Sequence, residues 1–134
     1  MRDNNSNFLN LKKSITRAGQ SSFAIGVINV IMGVLFDVFS YTTGELDVTS
    51  LLIAIPLEII VSMVYISLGS KLKKDELNNI NKTYRRVNGL IIYTFILIAL
   101  NLLLGSFVGL LVIFLLIDLF KARKELRNFR ECMN

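Results

Sequence analysis

The chain has 134 residues, of which 53% are hydrophobic, and a formal charge of +5. Its mean hydropathy is +0.57. An apolar content this high, gathered into long blocks between charged clusters, excludes an ordinary soluble domain and predicts an integral membrane protein. Histidine is absent and Cys132 is the single cysteine. That removes a structural zinc site, an internal disulfide and any His-activated nucleophile, so no metal, cofactor or enzymatic activity is expected.

Residues 1–20 carry Arg2, Lys12, Lys13 and Arg17. Phe8, Leu11, Ile15 and Ala18 share one face at helical spacing, with the lysines opposite. This predicts a short amphipathic lead-in lying on the inner leaflet of a membrane. Residues 21–41, SSFAIGVINVIMGVLFDVFSY, form a first span. They are too long for the core of a signal peptide, which runs about 7–15 residues. Ser22, Gly26, Asn29 and Gly33 make a stripe of small and polar residues along it, of the kind that lets helices approach in lipid.

The turn at 42–49 has Glu45 and Asp47 and no basic residue. Thr49 or Ser50 is the expected cap of the next helix. Residues 50–70 form a second span, with Pro56 in its first turns. Ala54, Glu58, Ser62, Tyr65 and Gly69 share a face, so this stripe is expected to meet the first. With antiparallel spans, Asn29 and Glu58 fall at similar depth, and a hydrogen bond between them is expected.

Residues 71–88 hold Lys71, Lys73, Lys74, Lys82, Arg85 and Arg86. Leu77, Ile80, Tyr84 and Val87 repeat at helical spacing, which predicts a second surface helix in this basic loop. Lacking a binding motif, the loop reads as facing anionic lipid headgroups and not nucleic acid. The apolar run at 89–120 is long for one span and short for two. A hairpin at Leu104-Gly105-Ser106 resolves it into spans at 87–104 and 106–122, followed by a basic tail at 123–134. All fifteen Lys and Arg then lie on one side: four before residue 20, six in the loop, and five from Lys121, at the inner end of the fourth span, onward. That segregation is what the positive-inside rule predicts for a cytoplasmic face. The expected architecture is all-α: four transmembrane helices as two hairpins in the plasma membrane, with both termini cytoplasmic.

Three acids lie in or near the apolar runs. Asp37, about one turn from the outer interface, is expected to reach water. Asp118 is expected to pair with Lys121 at i+3. Glu58 sits near the middle of its span, where an acid costs about 2.5–3.5 kcal/mol. It reads either as a neutral helix clamp with Asn29 or as a proton- or cation-binding group of a small transporter or channel. The expected function is helix–helix association, as a self-assembling unit or an accessory subunit. A homo-oligomer or a membrane-protein partner would supply the contacts.

The second-span exit, Tyr65-Ile66-Ser67-Leu68-Gly69-Ser70-Lys71-Leu72-Lys73-Lys74, followed by a charged loop and an apolar hairpin, resembles small bacterial four-helix membrane proteins of uncharacterised function. The resemblance covers roughly residues 55–125 and implies a fold, not an activity. Small multidrug transporters are similar in size and span number. Their membrane glutamate stands on the first helix, however, where this chain has Asn29 and Asp37.

Overall fold

A computed structural model describes residues 2–74, 79–103 and 110–133. The chain is all-α, with four helices: α1 (Arg2–Thr42), α2 (Val48–Lys74), α3 (Ile80–Leu103) and α4 (Leu110–Met133). Helices α1, α2 and α3 are long and apolar enough to cross a membrane. Within the described residues α4 is not, because only residues 110–120 precede Lys121 and Asp118 interrupts them. The hairpin at Leu104-Gly105-Ser106, the start of the expected fourth span and Leu77 lie outside the described residues.

At about 1.5 Å per residue, the 41 residues of α1 make a helix of about 60 Å, twice the thickness of a hydrocarbon core. It runs without a break from its basic start to the turn. There the chain reverses on Gly44, whose positive φ of 79° is a left-handed helix end. The carbonyl of Ser40 accepts from the amides of both Glu45 and Leu46 at 2.9 and 3.1 Å. Asp47, not Thr49 or Ser50, caps α2: its Oδ1 accepts from the Ser50 amide at 2.9 Å. A carboxylate satisfies an orphan amide at least as well as a hydroxyl and also complements the helix dipole. Bonds from the Ser50 side chain and amide hold Asp47 below the usual carboxylate range. Pro56 lies exposed on the turn-end part of α2, and the helix continues through it.

The helices form a ring in which α1 packs against α2 and α4, α3 packs against α4, and α3 meets α2 more loosely. Phe8 near the start of α1 packs on Phe129 near the end of α4, with ring centroids 6.1 Å apart. Lys73 at the end of α2 lies over Phe23 of α1. Arg130 of α4 lies over Tyr84, one turn into α3. Tyr84 is also held below its ordinary range, first by a hydrogen bond from Arg123. The chain ends and all the basic segments therefore gather at one end of the bundle, opposite the Gly44 turn.

The core sits toward this basic end. Leu11, Ile15 and Ala18 of α1, Leu72 of α2, Val87 and Leu90 of α3, and Leu119, Ala122 and Leu126 of α4 are all buried in one cluster. Of the faces expected to lie on a membrane surface, Leu11, Ile15, Ala18 and Val87 are packed in this cluster, on segments that continue the long helices. Asn79 starts α3 as its cap, accepting from the Lys82 amide at 3.1 Å, so residues 80–88 of the expected basic loop belong to α3. Asp118 pairs with Arg17 at 3.5 Å and accepts from the Ser21 hydroxyl at 2.5 Å, both across the α1–α4 contact, in place of the expected bond to Lys121.

The turn-end half is built differently. Beyond Gly26, only Asp37 and Ser40 of α1 are buried, and nothing on α2 before Ser62 is. Leu35, Phe36, Leu52, Ile53, Leu57 and Ile60 stay exposed there. The buried tail gives a direct check. Leu126 is fully buried, so Leu126→Ala should lower unfolding stability in micelles by about 2–5 kcal/mol. A tail lying on a lipid surface would make the same change nearly neutral.

Candidate functional site

The two stripes of small and polar residues meet along the α1–α2 interface. At its basic end the backbones almost touch. A Cβ at Gly69 would lie 2.7 Å from the Gly19 carbonyl oxygen and 2.7 Å from the Phe23 amide nitrogen. Only hydrogen at both positions allows this approach. One turn along, the Ser22 hydroxyl donates to the Tyr65 carbonyl at 2.9 Å. Gly26 then packs under Ile66 and the Ser62 carbonyl. The Asn29 side-chain amide donates to the Ser62 hydroxyl at 3.1 Å.

The expected Asn29–Glu58 bond is therefore replaced. The register sets Asn29 opposite Ser62 and moves Glu58 one turn further, onto Gly33. A Cβ at Gly33 would lie 2.8 Å from both Cδ and Oε2 of Glu58, so the carboxyl group rests directly on the α1 backbone. Asp37, one turn beyond Gly33, is the next acid outward on this face of α1. It is only 8% exposed, and its Oδ2 has no hydrogen-bond partner among the described residues. Ala54, on the same face of α2, is half-buried.

Tyr65 belongs to a different contact. Its carbonyl faces α1, but its side chain turns to α3, where its hydroxyl lies 3.0 Å from the Thr94 hydroxyl. Its ring meets Tyr93 edge-on, with centroids 5.1 Å apart. Tyr93 in turn donates to the Val61 carbonyl at 2.8 Å. These two tyrosines fill the looser gap between α2 and α3. Sequence reasoning passed over Tyr93 and Thr94, although they are the only polar side chains between residues 90 and 100. The expected trio of Glu58, Asn29 and Tyr65 is thus divided among three places: a carboxyl group over Gly33, an amide–hydroxyl bond, and an aromatic wedge.

Chemically, the arrangement offers two acids and no base. Among the described residues there is no cluster of three or more metal-ligating His, Cys, Asp or Glu side chains. No family model, curated protein or solved structure matches the chain.

The close approach can be tested with paired glycine substitutions. Gly69→Ala should lower the unfolding midpoint, by about 1–3 kcal/mol of overpacking, because the new methyl meets backbone and not a movable side chain. Gly89→Ala meets nothing within 4 Å. It should be neutral, or stabilise α3 by up to about 1 kcal/mol through helix propensity. Equal behaviour of the two variants in thermal unfolding would contradict the packing.

Proposed function

We propose that the chain is a multi-pass protein of the plasma membrane, with four spans and both termini cytoplasmic, which works through helix–helix association as a self-assembling unit or accessory subunit. The gathering of every basic segment at one end of the bundle supports the orientation, since a cytoplasmic face carries such an excess. That end also suits the anionic headgroups of an inner leaflet. Short helices and compact connections suit a bacterial membrane.

The observation that carries the association reading is the unequal covering of α1 and α2. Their basic-end halves are enclosed by α3 and α4. Their turn-end halves present Leu35, Phe36, Leu57 and Ile60 outward around an interface that contains Glu58 and Asp37. Intramembrane polar groups are stabilised when a further helix closes over them.

Cross-linking in native membranes should yield a discrete oligomer or a stable complex with another membrane protein. A monomer without partners under the same conditions contradicts the reading. The orientation has its own test, because the exposed Cys132 is the only thiol. A membrane-impermeant maleimide should label it only after the cells are permeabilised, and labelling of intact cells would place the tail outside.

The placing of the Glu58 carboxyl against Gly33, one turn from Asp37 on α1, favours a second reading, a proton- or cation-coupled transporter or channel that uses Glu58. Glu58→Gln keeps shape and hydrogen bonding but removes titration. In reconstituted vesicles it should abolish proton-linked flux. Flux that survives, or a parent protein that shows none, removes this reading and leaves the first.

A further inference from the structure

We propose that Asp37 and Glu58 form a two-carboxyl site that holds one exchangeable proton between α1 and α2. The site is built by Gly33. With no side chain at that position, the Glu58 carboxyl group lies against α1, where any Cβ would stand 2.8 Å from its Oε2. Asp37 follows at i+4 on the same face, about 6 Å further along the helix axis. It is a buried acid, 8% exposed, and its Oδ2 lacks a donor among the described residues. A buried carboxylate oxygen left without a donor is costly. One proton resting on either carboxyl group reduces the pair from two negative charges to one, and on Asp37 it removes the charge from the unpartnered oxygen.

Among the described residues, the surroundings leave no other source of neutralisation. On α1 the nearest titratable neighbour is Tyr41, which is exposed. On α2, Glu58 is the only titratable residue before Tyr65. The nearest on α3 is Tyr93, whose hydroxyl is committed to the Val61 carbonyl. The nearest on α4 is Asp118, committed to Arg17 and Ser21. The adjoining turn contributes two more acids, Glu45 and Asp47, and every Lys and Arg belongs to the segments at the opposite end. With only two carboxyl groups, the site lacks the six to eight oxygen ligands that calcium takes. The proton itself comes from water and returns to it, so binding needs no co-reactant.

This inference uses the carboxyl pair of the transport reading but not transport itself. A bound proton in a protein without flux leaves the site standing and removes only the transporter. The test is labelling with N,N′-dicyclohexylcarbodiimide, which attacks protonated carboxyl groups in apolar surroundings, on the full chain in liposomes, with adducts located by mass spectrometry. Near neutral pH we expect a single adduct per chain, on Asp37 or Glu58, declining through one step as pH rises. Asp37→Asn and Glu58→Gln should each move the step of the remaining acid at least about one pH unit lower, since each removes a like charge. Exchange of potassium for sodium should leave the step in place. Two adducts per chain, none at all, or a Glu58 step unmoved by Asp37→Asn would overturn the shared proton. A step that falls with sodium would assign the site to a metal cation and overturn it equally. The adduct count needs no substitution, so it decides the matter even if a variant fails to fold.

Discussion

The backbones of α1 and α2 touch at Gly19 and Gly69, and that contact sets the register of the pair. Each later turn then has one available partner: Ser22 for the Tyr65 carbonyl, Asn29 for Ser62, Gly33 for Glu58. In lipid there is little hydrophobic gain in bringing two helices together, so close packing and hydrogen bonds must supply the attraction. A bulkier residue at 69 would separate the backbones and lengthen every polar contact above it. The position of the acid on Gly33 is thus a consequence of a contact about three turns away.

A second constraint acts at the basic end. The apolar stripe of α1 over Leu11, Ile15 and Ala18 has to leave water, and a leaflet surface or a protein core would both satisfy it. The helix continues without a break into its apolar stretch, as do α3 and α4, and α2 ends in a segment of the same kind. Four collinear extensions placed side by side bury their stripes against one another while their charged faces remain in solvent. Cross-helix pairs fasten this end: Phe8 with Phe129, Arg17 with Asp118, and Arg130 with Tyr84. The bundle is therefore most complete where the chain is most charged, and most open where it is most apolar.

Much of this was legible in the residues themselves. Small side chains at helical spacing inside an apolar run have few uses other than helix contact, so the stripes through Gly26 and Ser62 could be read directly. Depth could be read only to within about one turn, because the length of the reversal was unknown. That is why Asn29 was matched to Glu58 and not to Ser62. The partner of an amphipathic face was not legible, because lipid and protein ask for the same stripe. The burial of Asp37 was hidden for a related reason. Its distance from the helix end suggested access to water, whereas its exposure depends on which side of α1 meets α2. Tyr93 and Thr94 stood out as polar within an apolar run, but nothing local showed that the α2–α3 gap is wide enough to need a tyrosine wedge.

The fold depends on the basic-end extensions forming a protein core. Spin-label accessibility at position 15 addresses this directly, with Ile15→Cys placed in a Cys132→Ser background and the exposed Leu9→Cys as the reference. A label at 15 should be shielded both from oxygen dissolved in the bilayer and from a water-soluble nickel chelate, while a label at 9 should be open to at least one of them. Ready access of oxygen to the label at 15 would put that face in lipid and contradict the bundle.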